Sequence, residues 1–134
     1  MAVLADTSVW SLAYRRDNPP DRPEVEALRH ALTGGERVVT TGLVLLELLQ
    51  GCLPSQAQAT INAAFDSLEF VEPTRDDYVA AATLSNTCRG KGVQLGTVDA
   101  LIAQLCIGHD LVLLSTDADF RHAAQHVPLR VWSP

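Results

Sequence analysis

Apolar residues fall along this chain in two alternating patterns. Short unbroken runs have the length of buried strands: Ala2-Val-Leu-Ala5, Arg37-Val-Val-Thr-Thr41 with its β-branched centre, and Leu111-Val-Leu-Leu-Ser115. Residues 68–72 and the last apolar stretch, 129–132, read as further strands, the latter at an edge. Between them lie segments with helical spacing over 7–15, 24–32, 43–50, 56–67, 75–88, 97–107 and 119–124. Local signals punctuate them. Asp6 or Thr7 caps the first helix, Gly34-Gly35 closes the second, and Gly51 ends the third. Three prolines make 17–23 a loop, and Arg89-Gly-Lys-Gly92 reads as a basic loop. Strands that alternate with helices predict a parallel sheet covered on both faces. In such sheets ligands bind beyond the carboxyl ends of the strands.

Composition narrows the class without changing this picture. A length of 134 residues suits one domain, 1–134, and 47% hydrophobic against 19% charged residues excludes a disordered chain. Cys52, Cys88 and Cys106 form no C-x-x-C pair, which argues against a disulfide framework or a thiolate zinc site and for a reducing, cytoplasmic setting. The start lacks the pattern of a secretory leader, and no apolar run approaches the roughly 20 residues that span a bilayer. The formal charge of −6 argues against a broad electrostatic attraction to nucleic acid.

The distribution of that charge is more informative than its sum. Asp6 ends the first strand, and Asp117 and Asp119 follow the strand at 111–115. Asp99 stands in the first turn of the helix at 97–107, and Glu47 interrupts the apolar helix at 43–50. Each acid has an ordinary alternative as a cap, a turn residue or a dipole partner. Glu47 fits that explanation least. Leu43, Val44, Leu45, Leu46, Leu48 and Leu49 surround it, and no Lys or Arg lies within nine residues on either side. The expectation is a mostly buried carboxylate that needs compensation. Two carboxylates roughly 5 Å apart repel by about 3 kcal/mol at an effective dielectric near 20. Several such pairs would rival the stability of a domain, so a true cluster must hold protons or cations. Oxygen donors without His or Cys suit a hard ion, Mg²⁺ or Mn²⁺.

Four motifs carry a resemblance over essentially the whole chain: Leu4-Ala-Asp6-Thr-Ser8, Leu46-Glu47-Leu48, Thr97-Val-Asp99-Ala-Leu-Ile-Ala103, and Leu114-Ser-Thr-Asp117-Ala-Asp119-Phe120. In order and spacing the chain resembles PIN-domain ribonucleases, most of all the VapC toxins of toxin–antitoxin pairs. The resemblance implies a three-layer α/β/α sandwich with a central parallel sheet. It implies that Asp6, Glu47, Asp99 and Asp117 are catalytic and hold the metal, with Asp119 a further ligand in some members. It implies supporting hydroxyls at Thr7 and Ser115. The activity implied is Mg²⁺-dependent endonucleolytic cleavage of RNA, tRNA or rRNA, by activated water, leaving 5′-phosphate and 3′-hydroxyl ends. The partners implied are a VapB-type antitoxin and a second copy of the chain.

Other residues take supporting or neutral parts. Arg15, Arg16, Arg89 and Lys91 are candidates for contacting the RNA backbone, against the alternative of ordinary surface charge. His30, His109, His122 and His126 fall on exposed helices or turns, and the implied chemistry needs no His. Two other acidic Mg²⁺ pockets fit less well. A haloacid-dehalogenase phosphatase places its D-x-D early and a Lys after it, whereas only fifteen residues, none Lys, follow Asp119. A receiver domain needs a Lys at the end of a late strand, and the single Lys, Lys91, sits in the predicted basic loop. The remaining alternative is a catalytically inactive PIN module that only binds a protein partner; the presence of every acid weighs against it.

Overall fold

The computed structural model describes residues 1–15, 22–51 and 53–134. Strand β1 (Ala2–Ala5) leads into helix α1 (Thr7–Ala13), and α2 (Pro23–Thr33) precedes β2 (Arg37–Thr40). Helices α3 (Gly42–Leu49) and α4 (Ser55–Phe65) then lead to the two-residue β3 (Glu69–Phe70). The pair α5 (Arg75–Gly90) and α6 (Thr97–Gly108) returns the chain to β4 (Val112–Leu114), and α7 (Ala118–Ala123) and β5 (Arg130–Val131) complete it. All strand pairs are parallel and the sheet order is β3-β2-β1-β4-β5.

Register explains why the apolar runs of the sequence are continuous rather than alternating. Leu4 pairs with Val39 on one side and Leu113 on the other. Val3, Leu4 and Ala5 are all buried, so both faces of β1 are covered. The core joins these strands to Val9, Trp10, Leu28, Phe65, Leu84, Ile102 and Phe120 from the helices on the two sides. The expected three-layer α/β/α arrangement is therefore the observed one.

Strand order also locates the site. From β1 the chain moves outward to β2 and β3, then crosses back to β4 on the other side of β1. The reversal leaves a crevice between the carboxyl ends of β1 and β4, the place where open α/β sheets bind ligands. The backbone is tied across it, since Asp6 N donates to Leu114 O at 3.0 Å.

Several local expectations need adjustment. Helix α1 stops at Ala13 rather than running through Arg15. Strand β3 is only two residues long, although Val71 N still bonds to Thr40 O and extends the pairing. Its exposed Glu69 forms an ion pair with Arg37 of the neighbouring β2 at 2.5 Å. The basic stretch at 89–92 is not wholly a loop, because Arg89 and Gly90 form the last turn of α5. Pro23, expected in a loop, is instead the first residue of α2, where its missing N–H costs nothing. The rest of that predicted loop, and the candidate Arg16, lie outside the described residues.

Helix α3 also departs from its sequence reading. Only Val44 and Leu48 are fully buried, and Leu46 is 58% exposed. Its apolar composition reflects one covered stripe with a wet edge, and Glu47 is largely but not wholly covered, as the sequence predicts. The start of this helix is held by the segment after β3, where Gly42 N donates to Glu72 Oε1 at 2.9 Å. A Cβ at Gly42 would stand 3.2 Å from that oxygen, so a larger residue would require the Glu72 carboxylate to shift by a few tenths of an ångström.

Candidate active site

Asp6 is the most constrained acid. It leaves β1 and caps α1, and only 6% of its surface is exposed. Its Oδ1 accepts from Ser8 Oγ at 2.5 Å and from Val9 N at 3.3 Å, while Oδ2 accepts from Ser115 Oγ at 2.6 Å. Burial raises its pKa, and these hydrogen bonds oppose the rise by favouring the carboxylate. The alternative role as a helix cap is real, because the capping bond is present. It occupies one oxygen and does not exclude a second role.

Two hydroxyls lock the Asp6 turn to the segment after β4. Ser115 donates to Asp6 and accepts from Asp117 N at 3.0 Å. Ser8 donates to the other Asp6 oxygen and accepts from Thr116 N at 3.2 Å. Asp117 in turn caps α7, accepting from Asp119 N at 2.9 Å. Thr7 points the other way along the crevice and donates to Glu47 Oε1 at 2.7 Å. A side chain on α1 thus orients a carboxylate on α3, 40 positions away in sequence.

Asp99 shows that the acids converge. It is half-buried in the first turn of α6, and its pKa is pushed up to about 6. Burial is the largest cause, followed by the negative charges of Asp117, Asp6, Glu47 and Asp119 in that order. Five carboxylates from separate stretches of chain therefore share one field at the end of the sheet. Asp119 is exposed and acts on Asp99 least. Among the described residues, no group of three or more His, Cys, Asp or Glu side chains stands close enough together to hold a metal ion as it is.

The donor set fits a hard divalent cation. It consists of carboxylate oxygens steadied by hydroxyls and backbone N–H groups, with no thiolate or imidazole. The elevated pKa of Asp99 marks negative charge that a cation would neutralise.

The expected basic residues are spread around this centre. Arg15 lines a cavity that shares Glu47 as a wall. Arg89 donates to Asn86 at 3.1 Å and lines a groove with Thr97, two positions before Asp99. Lys91 is exposed at the end of α5. All four His are exposed, as expected. Sequence reasoning did not single out Ser8, although its place two residues after a capping Asp is a signal for such a bond. It also did not single out Tyr14, which lines the cavity beside Glu47.

A profile described as the PIN domain matches residues 3–125, most of the chain. The chain belongs to the PIN-domain family. Among curated PIN-family relatives, ribonuclease VapC11 of Mycobacterium tuberculosis is 28% identical over 120 residues, 88% of each protein. Ribonuclease VapC23 of the same species is 27% identical over 104 residues, 78% of this chain and 82% of that protein. The fold matches that of VapBC2 from Rickettsia felis, solved bound to a promoter DNA fragment, with a TM-score of 0.78 at 20% identity over 98% of both chains. The PIN-family architecture predicted from the four motifs is thus the one this chain adopts.

Proposed function

We propose that this PIN-domain chain is a divalent-cation-dependent endoribonuclease, the toxin of a VapBC-type pair, acting as a single domain over 1–134. The observation that carries the proposal is the convergence of Asp6, Glu47, Asp99, Asp117 and Asp119 on one crevice, read from the electrostatics of Asp99. The relatives named as VapC ribonucleases support the reaction class.

Asp6, Glu47, Asp99 and Asp117 would hold Mg²⁺, or Mn²⁺, with Asp119 at the rim. When bound, the cation activates water and neutralises charge during in-line attack on a phosphodiester. The protein's own part is positioning. Ser8, Ser115 and Val9 N fix both oxygens of Asp6. Thr7 fixes Glu47. Asp99, whose carboxyl pKa is pushed up to about 6 by burial and by its acidic neighbours, would contribute a carboxylate whose charge a bound cation offsets. Arg15, Arg89 and Lys91 then offer cationic contacts to the RNA backbone on either side. The substrate class is tRNA or rRNA, and the products carry 5′-phosphate and 3′-hydroxyl ends. A VapB-type antitoxin and a second copy of the chain are the proposed partners. No helix among the described residues is long and apolar enough to cross a membrane, and the proposed setting is the cytoplasm.

The test is incubation of the purified protein with small structured RNAs, with and without Mg²⁺, beside Asp6→Asn and Asp99→Asn. Metal-dependent cuts are expected from the native chain, with losses of about a hundredfold or more in either variant. Absence of cuts, or cuts unchanged in both variants, returns the chain to the class of inactive binding modules.

A further inference from the structure

Glu47 is one wall of a cavity of about 320 Å³. Tyr14 and Arg15, just beyond α1, form a second wall, and Leu48 of α3 and Ala57 and Ile61 of α4 are among the residues lining the rest. A smaller hollow of about 260 Å³ adjoins it and shares Tyr14, Arg15, Ala57 and Ile61. The two hollows lie between the end of α1 and α4, and Glu47 is the one acid of the proposed centre that lines them.

Its aromatic wall is firmly placed. The Tyr14 ring stacks on Trp10, with centroids 6.1 Å apart and planes inclined by 18°. Trp10 is buried and packs in turn on buried Phe65 at 4.9 Å. Tyr14 is the outer, half-buried member of this pile, and it lines both hollows.

We propose that this cavity is a nucleobase subsite, which takes the base of a nucleotide adjoining the cleaved phosphodiester. The inference rests on the ribonuclease reading and adds to it a place where a base is gripped. Three features of the cavity point to that occupant. Glu47 belongs both to its wall and to the group of acids around Asp99, so a base seated there would lie beside the reacting edge. Its lining is apolar with an immobilised aromatic ring, the environment in which single-stranded bases stack. Arg15 lines the same wall, and its positive charge complements a phosphate beside the base next to the Glu47 carboxylate. A second consequence follows. Selectivity would come from a base drawn out of its stack, not from a broad positive surface, in keeping with the formal charge of −6.

The test uses fluorescein-labelled single-stranded RNA hexamers, intact or with one abasic residue at each position in turn. Binding is read by anisotropy in the full-length Asp99→Asn protein with Mg²⁺, and cleavage is read in the native chain. One abasic position is expected to weaken binding about tenfold while the others have little effect. Tyr14→Ala removes that difference and Tyr14→Phe preserves it. Ala57→Leu narrows the cavity without touching the aromatic pile; it weakens the intact hexamer and leaves the sensitive abasic one unchanged. This variant and Tyr14→Phe keep the proposal open to refutation should Tyr14→Ala fail to fold. Equal affinity for all the abasic hexamers, or indifference to both Tyr14→Ala and Ala57→Leu, overturns the subsite and leaves the cavity to a protein segment. Cleavage without base dependence overturns the subsite alone. Base-dependent binding without any cleavage supports the subsite and overturns the nuclease reading.

Discussion

Asp99 carries the clearest consequence of putting five carboxylates in one crevice. Its folded pKa of about 6 lies above the ordinary 3.8, so the native state binds more protons than the unfolded state between those values. The Asp99 contribution to the stability of the cation-free protein then falls as pH rises from about 4 to about 6 and levels off above. Asp6, also raised, adds to the fall with the same sign. Asp99 is half exposed, and after allowance for solvent screening its share is about 1 kcal/mol rather than the full shift. Asp99→Asn is expected to remove this share of the slope and to gain about 1 kcal/mol at pH 7 in the presence of EDTA. Urea denaturation from pH 4 to 7.5 measures both effects. A native chain whose stability rises across that window would contradict the electrostatic account. At the same scale, the sequence disclosed which residues are acidic and where each stands in its element. It could not disclose that Ser8 and Ser115 hold opposite oxygens of Asp6, because the partners of the second bond are 109 positions apart.

The elements follow closely from local signals, and the departures have local causes. Helix α5 starts at a reciprocal capping box, with Thr74 Oγ1 accepting from Asp77 N and the Asp77 carboxylate accepting from Thr74 N. Thr74→Ala is expected to lower stability by about 1 kcal/mol. Metal-dependent cleavage should be unchanged, because this cap belongs to the opposite end of α5 from Arg89. A thermal melt alongside an RNA cleavage assay checks both halves; loss of activity in a stably folded variant would assign this end of α5 a part in the site. Helix α3 taught the opposite lesson. Its sequence is apolar almost throughout, yet Leu46 stands at an open edge. Hydrophobicity alone marks a helix as buried, but which stripe is covered depends on neighbours supplied by other parts of the chain. Tyr14 is similar. Its spacing of four from Trp10 puts the two rings on one face of α1, but the hollow beside them exists only because α4 packs across from it.

At the scale of the molecule, five of the six excess negative charges belong to Asp6, Glu47, Asp99, Asp117 and Asp119. The remaining scaffold is nearly neutral. A divalent cation should therefore act on the whole fold. Mg²⁺ at about a hundredfold above its Kd is expected to stabilise the native chain by about 3 kcal/mol, seen as a rise of several degrees in Tm. RNA affinity should increase in parallel, since the cation removes the charge that opposes the phosphates. In Asp99→Asn the thermal gain should shrink. Calorimetry with and without Mg²⁺ decides it: equal melting temperatures in the native chain would mean that the acids hold no cation at these concentrations.

The sequence by itself determined the kind and order of the elements, the parallel character of the sheet and the chemistry of the acids. Those features depend on periodicity and caps, which are set by residues within a few positions of one another. The tertiary structure alone decided that β1 lies between β2 and β4, that the chain reverses there, and that acids from four separate elements come near enough for their charges to act on Asp99. It also decided that Glu47 is wet on one side and borders a cavity walled by Tyr14 and Arg15. Such convergence is a property of strand order and helix packing, where contacts join residues scores of positions apart and no local pattern records them.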